Sequence, residues 1–176
     1  MRLYITRHGE SLWNAENKVL GRTDIGLNER GKEQARELVK KLKDTKLDYV
    51  FTSPLSRAKD TAKEVADSKG IPLIVDDRLI EINFGDYEGI DRRSEAYQNE
   101  RRDYFRRYPH GESYMDLAGR IYPLLQELKR EYADKSVLLV SHGGICRVIH
   151  NYFVDMGNEE FVTYAFPNCG IEEFKL

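Results

Sequence analysis

Short apolar runs alternate along the chain with longer stretches in which apolar residues return every three or four positions. This is the pattern of strands joined through helices into a parallel sheet. Leu3-Tyr4-Ile5-Thr6 reads as the first strand. After an irregular stretch, Asn28 can cap a helix whose apolar positions are Ala35, Leu38, Val39 and Leu42. Leu47 to Phe51 is the second strand. Ser53-Pro54 offers an N-cap followed by proline at the first helical position, ahead of a helix with Leu55, Ala58, Ala62, Val65 and Ala66 along one face. Gly70 stops that helix before Ile71 to Val75, the third strand. Residues 78–90 contain Gly85 and Gly89, show no sustained period and read as loop. Residues 91–108 read as a helix with Tyr97, Tyr104, Phe105 and Tyr108 on one face. A further helix runs from about Tyr114 to Tyr132, where Pro123 is expected to kink or split it. Val137 to Val140 is a buried-type strand that turns at Ser141-His142-Gly143-Gly144 into an inward-facing helix, and Ile171 to Phe174 is a last short strand. The expected fold class is α/β: three layers, a mostly parallel open sheet with helices on both faces, and a small helical cap.

Composition narrows the function. A chain of 176 residues with 40% hydrophobic and 33% charged residues has room for one sizeable core, so a single domain over 1–176 is expected, with 85–113 as a cap insertion. Lys+Arg total 28 against 30 Asp+Glu, a net charge of -2, which gives no global footprint for nucleic acid or an anionic membrane surface. Any anion site must be local. The longest aliphatic run, Val137 to Val140, falls far short of the ~20 residues a membrane helix needs. Strand-like sequence from Arg2 leaves no space for a secretory signal, so the expectation is a cytoplasmic protein. Cys146 and Cys169 form no CxxC or cluster and read as buried free thiols.

In an open parallel sheet the ligand crevice lies at the carboxyl ends of the strands. There the sequence delivers Arg7-His8-Gly9-Glu10 from the first strand, Arg57 from the helix after the second, and His142 from the strand ending at Val140. Two histidines as metal ligands are the first rival explanation, but Arg7 and Arg57 would repel a divalent cation. The pocket wants an anion, and phosphate suits it: arginines offer planar donors, and Gly143-Gly144 opens a helix with free N–H groups and a positive dipole end. No Walker-type GxxxxGK[ST] or HExxH is present. Histidine remains as a nucleophile, since a neutral imidazole nitrogen can attack phosphorus. The leaving oxygen then needs a proton donor, for which Glu81 and Glu10 are the candidates by position. Taken singly, each of these residues also has a structural reading as a hydrogen-bonded or salt-bridged side chain.

Tyr4-Ile5-Thr6-Arg7-His8-Gly9-Glu10-Ser11 with Trp13-Asn14 opens a series of six motifs. It continues with Gly21-Arg22-Thr23-Asp24, Thr52-Ser53-Pro54-Leu55 with Arg57-Ala58, and Leu79-Ile80-Glu81 through Gly85 with Glu88-Gly89. Gly111-Glu112-Ser113 and Leu139-Val140-Ser141-His142-Gly143-Gly144 complete it. In that order they resemble the histidine phosphatase superfamily, in its branch similar to cofactor-dependent phosphoglycerate mutase. Gly26, Asn28 and Asp60 depart from the usual pattern without touching the chemistry. The resemblance implies that His8 is the phosphorylated nucleophile, that Arg7, Arg57 and His142 bind the phosphoryl oxygens, and that Glu81 is the acid/base. It also implies that Asn14 and the Gly143 amide, with Ser11 and Gly21, complete the substrate site, and that neither metal nor cofactor is required.

Mutases of this family carry a longer insertion and a donor segment reading Glu-Arg-His-Tyr-Gly, whereas this chain has Glu81-Ile82-Asn83-Phe84-Gly85 and resembles the phosphatases. The expectation is hydrolysis of a small phosphomonoester metabolite, with phosphoglycerate mutase as the alternative and a catalytically silent phosphate-binding protein as the second. The cap carries Arg92, Arg93, Arg101, Arg102, Arg106 and Arg107 near Tyr97, Tyr104 and Tyr108. That composition suits carboxylate, further phosphate or a stacking ring, and equally a solvated face on which Glu95, Glu100 and Asp103 pair with the arginines.

Overall fold

The computed structural model describes residues 1–176. Five strands, β1 (Arg2–Arg7), β2 (Tyr49–Thr52), β3 (Leu73–Val75), β4 (Ser136–Ser141) and β5 (Ile171–Lys175), form one sheet in the order β3-β2-β4-β1-β5. All pairs are parallel except β1 with β5, which is antiparallel and closes the edge next to the first strand. The helices are α1 (Leu12–Ala15), α2 (Glu29–Lys41), α3 (Ser56–Lys69), α4 (Glu95–Glu100), α5 (Tyr114–Glu131), α6 (Gly143–Phe153) and α7 (Asn158–Thr163).

The period-2 alternation of the strands sorts their side chains onto two faces. Leu3, Ile5, Val137 and Leu139 face a core built with α5 and α6, where Leu117, Ile121, Leu124, Leu125, Leu128, Ile145 and Ile149 are buried. Tyr4, Val50, Leu138 and Val140 face the other way, onto Leu38 and Leu42 of α2 and Ala62, Val65 and Ala66 of α3. Central strands covered on both faces have no polar side, which is why β4 reads as a continuous apolar run. The architecture is therefore the three-layer α/β sandwich expected. Both cysteines are buried free thiols, and no helix is long and apolar enough to cross a membrane.

The largest difference from expectation lies at residues 91–108. They form no single helix: only the short α4 is helical, and turns carry the rest. Asp103 accepts from the backbone N–H groups of Phe105 and Arg106, a local side-chain bond that competes with helix continuation. Tyr97 and Tyr108 are buried against Phe84 and Tyr87, whereas Phe105 is 78% exposed, so the aromatics do not share a face. Conversely, α5 runs unbroken through Pro123. The proline sits on the solvent side, and the residue four before it is Gly119, with open space around it to absorb the clash. The cap expected from Ser53-Pro54 is also displaced, because α3 begins at Ser56, whose N–H and hydroxyl both donate to Asp24 Oδ1 from a distant loop. The single-turn α1 and the short α7 were not anticipated, and β2 and β3 are each shifted or trimmed by one or two residues.

Candidate active site

Register brings the two histidines together. Arg7 and Ser141 are partners at the ends of β1 and β4, so His8 and His142 leave the sheet side by side with ring centroids 5.1 Å apart. The His8 backbone is pinned on both sides: its N–H donates to Ser141 O at 2.9 Å, and its carbonyl accepts from Asn168 Nδ2 at 2.7 Å. Thr61 of α3 ties this exit to the next element, accepting from Gly9 N–H while donating to the Arg57 carbonyl. His8 is buried, and its Nδ1 lies 2.6 Å from the Gly9 carbonyl. A carbonyl only accepts, so Nδ1 bears the proton and Nε2 keeps its lone pair. Arg57 Nε–H points at that lone pair from 3.2 Å. Burial, reinforced by the charges of Arg57 and Arg7, holds His8 well below the ordinary imidazole range, so the ring is neutral.

Arg57 is fully buried and has no carboxylate partner; Gly21 O and Thr23 O accept from its terminal nitrogens at 2.6 and 3.0 Å. Burial lowers it to about 10, still cationic at neutral pH. Arg7 is lowered to the same level by burial and then by the charge of Arg92, and its Nε–H has no acceptor. His142 is likewise held neutral, by burial and then by Arg57. Ser53 Oγ lies 2.7 Å from His142 Nε2 and accepts from Leu55 N–H, so the hydroxyl proton is available to Nε2. His142 Nδ1 is left as a buried nitrogen without a partner. Two buried nitrogens of the site, Arg7 Nε and His142 Nδ1, therefore have nothing in the protein to pair with.

Glu81 reaches the same place from the loop after β3. Its Oε1 accepts from Ile82 N–H at 2.8 Å and its Oε2 from Gly144 N–H at 3.0 Å, which sets the carboxylate on the N-terminus of α6. Glycine at position 144 leaves room for this carboxylate, since a Cβ there would lie 2.5 Å from Glu81 Oε1 and displace it. The Gly143 N–H, at the first position of α6, has no intrahelical partner.

These groups border a cavity of about 460 Å³, lined among others by Arg7, His8, Asn14, Glu81, Gly143 and Gly144. Arg57 and His142 lie directly beneath it rather than on its wall. Glu81 is its only carboxylate. Glu10 is turned away, its carboxylate accepting from Asn28 Nδ2 at 2.8 Å. Ser11 is fully buried, and its hydroxyl and amide form a capping box with Asn14 that fixes the Asn14 side chain. Gly21 holds Arg57 through its carbonyl and does not line the cavity.

Sequence reasoning passed over two groups. Arg120 and Arg22 both donate to the Glu81 carbonyl and both pair with Glu112, whose carboxylate also accepts from Asn83 N–H, so this network anchors the loop bearing Glu81. No local pattern announces it, because the partners come from four segments. Arg147 lines the cavity within a stretch where every residue from Gly144 to Ile149 is buried. A cation inside that apolar run was the available signal.

A sequence model of the histidine phosphatase superfamily (branch 1) matches residues 3–176. The chain is 37% identical over 176 residues to the uncharacterized phosphatase PhoE of Bacillus subtilis, covering 98% of this chain and 86% of that protein. It is 32% identical over 180 residues to phosphoserine phosphatase 1 of Hydrogenobacter thermophilus, covering 96% and 83%. Among solved structures, the phosphoserine phosphatase of Entamoeba histolytica in complex with 3-phosphoglyceric acid superposes with a TM-score of 0.86 at 27% identity, covering 99% of this chain and 90% of that one.

Proposed function

The chain belongs to branch 1 of the histidine phosphatase superfamily, and from its geometry we propose that it hydrolyses small phosphomonoesters through a phosphohistidine on His8. The single observation that carries this assignment is the neutral state of His8, its Nε2 free of a proton beside Arg57 and Arg7, with Arg7 Nε and His142 Nδ1 left without a partner in the protein. In the first step the Nε2 lone pair forms a bond to phosphorus while the ester P–O bond breaks. The leaving oxygen takes the proton of Glu81 in its acid form. In the second step water attacks phosphorus, Glu81 receives the water proton, the P–N bond breaks, and inorganic phosphate and neutral His8 are released. Arg7, Arg57, His142 Nδ1, Asn14 and the Gly143 N–H stabilise the equatorial oxygens, where charge is greatest at the transition state. Arginines thus occupy the electrostatic place that a metal would fill.

The test is phosphate release from a panel of phosphomonoesters, with chelator present and no bisphosphoglycerate primer, together with a labelled-substrate quench. Release should proceed at an undiminished rate, and an acid-labile, base-stable label should appear on wild type and be missing from His8→Asn. Label on His8→Asn would displace the nucleophile. Primed interconversion of 2- and 3-phosphoglycerate that outran every hydrolysis would establish mutase chemistry instead.

A further inference from the structure

The six arginines of the cap are not equivalent. Arg93 pairs with Asp91, Arg102 with Glu159, Arg106 with Glu100 and Arg107 with Asp116. Arg92 and Arg101 have no carboxylate partner, and both line the cavity. Arg101 donates to the Val162 carbonyl at 2.5 Å and lies 6.0 Å from the centre of the Tyr97 ring. Behind them, Arg147 is only 8% exposed, flanked by the rings of Tyr114 and Phe161, and also without a carboxylate. Tyr114 Oη and Tyr164 O accept from its terminal nitrogens at 2.8 Å each, and its Nε–H has no acceptor.

A buried guanidinium without a counter-charge is strongly unfavourable unless something supplies one. At the His8 end of the cavity Arg7 and Arg57 face that situation, and a phosphoryl group resolves it. The same situation recurs at Arg147, Arg92 and Arg101, three cations that line the cavity and have no carboxylate partner. The cavity volume of about 460 Å³ lies within the range of small-molecule sites and leaves space beyond a phosphoryl group.

We infer that Arg147, Arg92 and Arg101 form a second anion subsite, and that the substrate is a phosphomonoester bearing a carboxylate or another phosphate beyond its ester oxygen. The inference rests on the phosphatase reading of the same cavity. Arg147 is the preorganised member, its plane fixed by one hydroxyl, one carbonyl and two rings, while Arg92 and Arg101 line the cavity from the cap.

The experiment measures kcat/KM for phosphate release on two matched pairs: 3-phosphoglycerate against glycerol 3-phosphate, and propane-1,3-diol bisphosphate against its monophosphate. Wild type should favour the doubly anionic member of at least one pair by about tenfold or more, the effect of a charge-assisted contact. The pair that shows the preference identifies carboxylate or phosphate as the second group. Arg147→Gln and Arg92→Gln should each pull that ratio toward one, and because each variant is compared with itself, a general loss of activity cancels. Should Arg147→Gln fail to fold, Arg92→Gln and Arg101→Gln carry the test. Ratios within about threefold of one in both pairs, or a preference that none of the variants moves, would overturn the subsite. Failure to release phosphate from any ester, nitrophenyl phosphate included, would sink the hydrolase reading itself.

Discussion

The floor of the cavity and its mouth are built by different means. On the floor, His8, Arg57 and His142 are buried and held by backbone carbonyls, by Thr61 and by Ser53, on elements anchored in the central sheet. At the mouth, residues 91–108 and α7 are short elements joined by exposed ion pairs such as Arg102 with Glu159 and by the Tyr104 hydroxyl on Asn158 O. Exposed pairs of this kind contribute little, about 0–1 kcal/mol each, whereas orphaning a group on the floor leaves a buried polar atom unpaired. The contrast teaches where change is tolerated. In the proposed reaction the chemistry falls to atoms fixed by the central strands β1 and β4, and substrate choice to a rim that can be rebuilt at small cost in stability.

Substitutions at graded depth test that division. The largest effect is expected from Glu81→Gln, which removes the proton but keeps the shape: turnover of alkyl phosphates should fall by about 10²–10⁴-fold while that of nitrophenyl phosphate, whose leaving group scarcely needs a proton, falls far less. Equal losses on both esters would remove Glu81 from the acid role. Gly144→Ala comes next, because its Cβ would meet Glu81 Oε1 at 2.5 Å and push the carboxylate off the α6 terminus. A displacement on this scale should lower alkyl phosphate turnover by about tenfold to a hundredfold, and wild-type kinetics in that variant would show that the glycine does not position Glu81.

Acidification probes the floor more gently. His8 and His142 are kept neutral in the folded protein, whereas in the unfolded chain they take up protons near 6.5. Below that value the unfolded state binds more protons, so their stabilising contribution is complete above 6.5 and is lost as the pH falls toward the depressed folded values. The slope is up to about 1.4 kcal/mol per pH unit for each ring. Thermal melts at pH 7 and pH 5 should therefore converge for His8→Asn relative to wild type; identical drops in the two proteins would contradict a buried neutral His8. The smallest effect is expected from Arg102→Ser at the rim, whose pair with Glu159 is exposed on both sides. Its stability should change by less than about 0.5 kcal/mol, and a larger loss measured by denaturant titration would mean the rim is more tightly built than its contacts indicate.

The same division explains what could be read from the sequence. The floor was legible because it follows from period and register: a strand that is apolar on both faces ends at Ser141, another ends at Arg7, and the residues just beyond them meet. Asn28 caps α2 as its type and place require, through Gly31 N–H. The rim was not legible, because it is decided by contacts between remote segments. The spacing of Tyr97, Tyr104 and Tyr108 suits a helix, yet Asp103 turns the chain and only tertiary packing gathers Tyr97 with Tyr108. Ser53-Pro54 has the local form of a helix start, but the Ser53 hydroxyl is directed to His142 and the cap arrives from Asp24. Arg120 belongs to no motif, and Glu112, though it lies in one, acquires a role only through the loop that bears Glu81.

The place of β1 in the sheet has a consequence for how the protein comes into being. Within this chain β1 is the first strand to emerge from the ribosome, yet the neighbours on both its edges come from the distant half, with Arg2 facing Ser136 on one side and Lys175 on the other. Strands β2 and β3, separated by α3 alone, can pair early, while β1 must wait for loops that span most of the chain to close. A nascent polypeptide therefore carries His8 beside an unpaired strand until β4 has been made. His8 and His142 meet only once β4 has joined β1, and the segment most in need of a chaperone's protection until then is the one that bears His8.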